Sequence, residues 1–236
     1  MEPRFDFDPN RLQASARPSG GDYLLSGTKC NVPLAPEADW MLVWAACEGR
    51  TQGFLVPKGT PGLLVKERER NMGMHAFPMF TVSFEQCRIP AARRLGGTQG
   101  CDFQRVLNAS KTGLSAMALG VARAAYEYAR EYAKERVAFG EAIARRQSIA
   151  FMLAEMATDL EAARLMVWRA AWKLERGEDA TRDAYLAANF TGDMAVTVAD
   201  RAVQILGGYG FTREFPVELW LRNARGFAVM EGITIV

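Results

Sequence analysis

A chain of 236 residues with 49% hydrophobic content can bury a substantial core, as one large domain or two smaller ones. Its 29 basic and 27 acidic side chains leave a formal charge of +2 without a block of like charges, so neither nucleic acid nor an anionic membrane is signalled as partner and a small molecule or another protein is expected. The four cysteines, Cys30, Cys47, Cys87 and Cys101, have no paired spacing, which suits free thiols in a reducing compartment better than a disulfide framework or a zinc site.

No run approaches the roughly 20 apolar residues of a membrane span, and the acidic, proline-bearing stretch from Met1 to Pro9 is not a signal peptide. The expectation is a cytoplasmic protein, or a mitochondrial-matrix one in a eukaryote, with no membrane insertion.

From Tyr23 to Ile89 the chain is built of short apolar runs: Tyr23-Leu24-Leu25, Trp40-Met41-Leu42-Val43-Trp44, Gly53-Phe54-Leu55-Val56 and Phe80-Thr81-Val82-Ser83-Phe84. Gly, Pro and Asn split them, the pattern of an antiparallel sheet folded into a sandwich or barrel. Near Gly96 the character changes, which divides the chain into a β domain over 1–98 and a helical domain over 99–236. Leu107, Leu114, Met117, Val121, Ala125, Tyr128 and Tyr132 form one helical stripe. Ile149, Leu153, Met156, Leu160, Ala163 and Val167 form a second, and Leu186, Phe190, Met194, Val198 and Ala202 a third. Breaks fall at Phe139-Gly140, Gly177 and Gly207-Gly208, and Pro216 marks the start of a fourth, shorter helix. The fold class is therefore α+β: a small antiparallel β-barrel or sandwich followed by a four-helix-bundle-like domain.

His75 is the only histidine, in a turn-like Gly73-Met74-His75-Ala76 context, and no His/Cys cluster has zinc spacing, so a triad hydrolase or a metalloenzyme is not indicated. Neither GxGxxG after a strand nor GxxxxGK[ST] occurs. The most informative run is Gln204-Ile205-Leu206-Gly207-Gly208-Tyr209-Gly210, followed downstream by Met230-Glu231-Gly232. Two readings of the glycines stand: a backbone that a bulky cofactor approaches closely, or a helix stop with a left-handed cap. Arg136 is either a solvated charge at a helix end or a guanidinium fork for a diphosphate, and Phe139 either a core anchor or a cofactor contact.

In order along the chain come Met1-Glu2-Pro3, Tyr23-Leu24-Leu25-Ser26-Gly27-Thr28-Lys29, and Asn71-Met72-Gly73 through Phe84 to Ile89-Pro90. A helix from Leu107 to Gly120 leads into Arg136-x-x-Phe139-Gly140-x-x-Ile143-x-x-x-Gln147, and Gln204-x-x-Gly207-Gly208-Tyr209-Gly210 and Glu231-Gly232 complete the set. In this order and separation they resemble the acyl-CoA dehydrogenase family, from its middle β domain to nearly the end of its C-terminal helical domain.

The resemblance implies FAD as cofactor, with Arg136 on the pyrophosphate and Phe139, Gln147, Gln204, Gly207 and Gly208 at its far end, reaching the flavin of a neighbouring subunit. It implies Glu231 as the base that removes the proton α to an acyl thioester, giving the trans-2-enoyl product, and it places Lys111 and Gly232 against the substrate. Partners implied are an acyl-CoA or acyl-carrier thioester, an electron-transfer flavoprotein as acceptor, and further copies in a dimer or tetramer, or a related subunit in a hetero-oligomer.

Departures from the family pattern bear on these expectations. Asn31-Val32-Pro33 stands where the family often has Trp-x-Thr over the flavin, and Arg4-Phe5-Asp6-Phe7 replaces a Gly-Ser-Asp loop. Lys111 stands for an arginine, and Ser110 for the position at which some members carry the base. Ile233 follows Glu231-Gly232, so that Thr234 comes one place later than the family's threonine. The N-terminal helical domain of the family, roughly a hundred residues or more, has no counterpart in the sequence, so a truncated or split product is expected. A second hypothesis follows: a non-catalytic, partner-dependent subunit with an assembly role.

Overall fold

The structure, a computed structural model, describes residues 1–230 and divides into two compact units: residues 1–71 with 75–107, and residues 72–74 with 108–230. The first is a six-stranded sheet of β1 (Ser15–Ser19), β2 (Asp22–Pro33), β3 (Trp40–Cys47), β4 (Arg50–Pro57), β5 (Leu63–Arg68) and β6 (Met79–Pro90), in the order β4-β3-β1-β2-β6-β5. The four expected apolar runs fall in β2, β3, β4 and β6. Sequence periodicity had no purchase on β1, whose Ser-Ala-Arg-Pro-Ser is small and polar, nor on β5, an edge strand exposed over most of its length and ending Lys66-Glu67-Arg68. Charges on such an edge discourage pairing with another chain.

The sheet is not wholly antiparallel, as the apolar runs had suggested: β1 and β3 meet in parallel through Ser15 and Ala46. The Gly20-Gly21 turn, both residues at positive φ, reverses the chain between β1 and β2, and once β1 is spent in that hairpin its far edge receives β3 in the same direction. The core of the unit is Leu25, Val43, Phe54, Val56, Val82, Phe84 and Ile89.

Two family-like motifs meet inside it. Lys29 on β2 and Glu2 are both buried, with Nζ donating to Oε1 at 2.9 Å. The Glu2 carboxylate also accepts the backbone N–H groups of Gln13 and Ala14 at 2.8 and 2.9 Å. Burial opposes ionisation of Glu2, but these three donors outweigh it and hold the carboxyl below its ordinary range.

The second unit is helical: α1 (Phe103–Glu135, its first turn in the first unit), α2 (Gln147–Glu175), α3 (Thr181–Leu206) and α4 (Val217–Phe227), with the short hairpin strands β7 (Val137–Ala138) and β8 (Glu141–Ala142) between α1 and α2. Pro216 directly precedes α4, where its fixed φ suits a helix start and its missing N–H costs nothing. Of the second predicted stripe, Met156, Leu160, Ala163 and Val167 are buried on α2, and Met194, Val198 and Ala202 of the third are buried on α3.

The first stripe holds except at Met117, which is half-exposed: Leu107, Leu114 and Ala125 are buried, and Val121, Tyr128 and Tyr132 pack against the core. The stripe was incomplete, because α1 also buries Ala118, Ala122, Ala129 and Ala133. An alanine face lets neighbouring helices approach closely, so the smallest side chains rather than the largest lie at the contact. The start of α3 does likewise: Ala184 and Ala187 turn inward, Leu186 outward, and Asp183 is buried against Arg169 at 2.7 Å and Lys173 at 2.5 Å of α2. None of the helices among the described residues is long and apolar enough to cross a membrane.

Candidate functional site

Several predicted cofactor residues converge at one end of the helical unit. Arg136 follows the last residue of α1, exposed, and Phe139-Gly140 form the two-residue turn between β7 and β8 with φ of 55° and 87°. Such a turn demands positive φ at both central positions, which glycine meets freely and a bulky side chain only under strain of about 1–3 kcal/mol. The strained Phe139 is 95% exposed, so it is not a core anchor; its ring is presented outward, with the Arg146 guanidinium 5.8 Å from its centroid and Arg146 Nη2 donating to its carbonyl at 3.1 Å. Strain that holds an apolar ring in water is the kind of cost a binding surface carries.

The glycine run lies beside Arg136. Gly207 closes α3 at φ 60° and ψ −133°, so the helix stops there as one reading had it, but not with a left-handed cap; it is also exposed, as is Gly208, with open space where a Cβ would stand at either residue. The two readings are thus compatible: the residue that ends the helix also bares its backbone. Gly210 has a different task. It is buried, and a Cβ there would come within 2.3 Å of the Val203 carbonyl oxygen. Gly208→Ala is therefore expected to leave the melting temperature within about 1 °C while weakening any ligand that needs close backbone approach. Gly210→Ala is expected to cost at least about 2 kcal/mol by overpacking against backbone. Thermal melts of both variants check this, and equal losses would count against the division of roles.

Tyr209, between these glycines, lies under the Arg136 guanidinium, 5.5 Å from Cζ to the ring centroid. Gln204, in the last turn of α3, and Gln147, the first residue of α2, are exposed, and their side-chain amides have no hydrogen-bond partner among the described residues. Arg136 likewise has no carboxylate within ion-pair distance among the described residues. A cation without an acid, an outward aromatic ring and bare glycine backbone are chemically suited to a dinucleotide carrying a diphosphate, so these residues fit FAD.

A second feature is a cleft of about 250 Å³ in the same unit, lined among others by Lys111 and Ser115 of α1, Asn189 and Asp193 of α3, and Phe227 and Met230 after them. Lys111 is buried at its wall, with the ammonium 4.5 Å from the Tyr185 ring centroid. Ser110 is buried, its hydroxyl without a hydrogen-bond partner among the described residues. Glu231, Gly232 and Thr234 lie outside the described residues; Met230, the last one before them, lines the cleft.

In the β unit Asn31 sits at a register shift of β2 with φ 52°, its N–H donating to Glu69 Oε1 at 3.0 Å. Asn31 and Pro33 line a concavity of about 150 Å³ that also includes the half-exposed Trp40. Trp40 is thus an aromatic beside the position where the family's aromatic is missing. Only its Trp-rich run hinted at it, because nothing local says which strand ends share a concavity. His75 is an exposed turn residue whose Nε2 lies 2.8 Å from the Asn71 carbonyl oxygen. Cys30, Cys47, Cys87 and Cys101 are free, and no group of His, Cys, Asp and Glu among the described residues could hold a metal.

Family models for "Acyl-CoA dehydrogenase, middle domain" and "Acyl-CoA dehydrogenase, C-terminal domain" match residues 2–87 and 101–236. An acyl-CoA dehydrogenase of Bacillus subtilis is 39% identical over 98% of this chain and 63% of its own length. Among solved structures, butyryl-CoA dehydrogenase from Megasphaera elsdenii superposes with a TM-score of 0.84 at 35% identity, covering 94% of this chain and 60% of that one. The FAD complex of PigA superposes with a TM-score of 0.86 at 32% identity over the same shares. The chain therefore spans about three-fifths of the length of these relatives. By the two domain models that between them cover nearly all of it, the chain belongs to the acyl-CoA dehydrogenase family.

Proposed function

We propose that the protein binds FAD and carries out the α,β-dehydrogenation of an acyl thioester to the trans-2-enoyl thioester. The observation that supports this reading is the convergence of Arg136, the outward Phe139 and the bare Gly207-Gly208 backbone at one end of the helical unit, a set whose chemistry suits a diphosphate and its nucleoside. Arg136 grips the diphosphate with its fork, Gln147 and Gln204 donate or accept at the nucleoside, and Phe139 covers it. Thr234 is assigned to the cofactor as well.

Glu231 accepts the proton from the substrate α-carbon, and the β-hydrogen leaves with its electron pair. FAD, when bound, supplies the acceptor for that pair. Lys111, with Gly232, lies against the substrate, its buried ammonium at the wall of the cleft that Met230 also lines. A general base for a weakly acidic α-proton works best with a pKa near the operating pH. The substrate is an acyl-CoA or an acyl-carrier thioester, and electrons pass to an electron-transfer flavoprotein. The exposed Phe139 and Arg136 suit a flavin in a neighbouring copy, so the working form is a homodimer or tetramer.

Asn31 and Pro33 support a second reading, a non-catalytic subunit that keeps the bundle for assembly. Absorbance separates the two. A yellow protein, or one that turns yellow with FAD, and that bleaches when an acyl-CoA is added is the expected result. A protein that takes up no flavin would sink the enzyme reading.

A further inference from the structure

Arg136 differs from other arginines of the helical unit. Arg123, Arg130 and Arg146 each have a glutamate within 3.3 Å, whereas among the described residues the Arg136 guanidinium has the face of Tyr209 and no carboxylate. Tyr209 tilts against Phe215 with centroids 5.2 Å apart, and Phe215 meets Tyr132 edge-on at 6.4 Å. Tyr132 lies one turn before Arg136, its carbonyl accepting the Arg136 N–H at 2.8 Å. The rings therefore run from α1 through the segment before α4 to the glycine turn and back to the end of α1, so the position of the guanidinium is set at both ends.

A guanidinium laid on a ring face is attracted by the π-cloud while its N–H donors remain free. A carboxylate partner would occupy those donors. Holding the side chain in advance also removes part of the ordering cost of binding.

We propose that Tyr209 is a positioning residue: its ring holds the Arg136 fork ready for the diphosphate of a dinucleotide without touching the diphosphate itself. This rests on the assignment of Arg136 to a diphosphate made above. Gly210, seated against the Val203 carbonyl, fixes the turn that aims the ring, and the open Gly208 keeps its approach clear.

The test is titration of the full chain with ADP and with adenosine, which differ by the diphosphate. Tyr209→Leu is expected to weaken ADP about fivefold, the size of one exposed cation–π contact, with adenosine unchanged and the melting temperature retained. Tyr209→Phe, which keeps the ring, is expected to match the unaltered protein. Equal losses for both ligands, or a Phe variant as weak as the Leu variant, would overturn the proposal. Arg136→Ala separates its failure from that of the parent reading. If that variant loses ADP and Tyr209→Leu does not, only the positioning role is wrong; if Arg136→Ala binds ADP unchanged, the diphosphate assignment fails and the proposal with it.

Discussion

Glu2→Ala is expected to destabilise the β unit by about 3–5 kcal/mol, the cost of leaving a buried charge without its partner. Glu2 is 3% exposed and receives three donors: Lys29 Nζ and the N–H groups of Gln13 and Ala14. Alanine strands all three, and the buried ammonium is the most expensive of them. Pairing Glu2→Ala with Lys29→Met should recover part of the loss, because the buried ammonium then goes, although Arg4, whose Nε lies 3.8 Å from the Glu2 carboxylate, still loses that partner. Denaturant midpoints of the two single variants and the double give the coupling, and a single-variant loss below about 1 kcal/mol would show that the pair contributes little.

The pair also sets an acid limit. The Glu2 pKa is lowered in the folded state, so its contribution is fully present above the ordinary glutamate value of 4.5 and is lost as pH falls through the lower folded value. Glu2→Gln should melt at a lower temperature than the unaltered protein at pH 7, and the gap should close as the buffer is taken well below pH 4.5. A gap constant across that range would mean that the carboxylate does not carry the stability.

Glu231→Gln is expected to lower turnover of an acyl thioester by about 10²- to 10⁴-fold, the usual range for loss of a general base, while flavin and substrate still bind. Glutamine has the shape of glutamate but no basic carboxylate. Ser110 offers a hydroxyl and Lys111 an ammonium, neither a carboxylate base; among the named lining residues of the cleft the carboxylate is Asp193. Stopped-flow bleaching of the flavin with saturating acyl-CoA measures the step directly. Bleaching at the unaltered rate would place the base elsewhere, whereas loss of the flavin itself would show that Glu231 supports the cofactor rather than the proton transfer.

The apolar runs of β2, β3, β4 and β6 and the α2 stripe were legible because a strand or helix writes its own period into the sequence. The polar β1 left no such trace, and the α1 stripe, right except at Met117, missed Ala118, Ala122, Ala129 and Ala133 because size was taken as a guide to burial where close packing favours alanine. At the site, Arg136, Phe139, Gly207 and Gly208 stood out by type and spacing, but residue by residue a plain structural reading was as good for the glycines and better for Arg136 and Phe139. Exposure removed the core-anchor reading of Phe139, and backbone geometry merged the two readings of Gly207.

Composition and periodicity by themselves determined a β unit followed by a helical unit and free thiols, and motif order carried the family resemblance. Only the tertiary structure decided that Glu2 answers Lys29, that Tyr209 carries Arg136, and that Gly210 serves packing while Gly208 stands open. Periodicity records which face of an element is apolar, a local property. Which two faces meet depends on closing long loops of chain, and its outcome appears only where the side chains arrive.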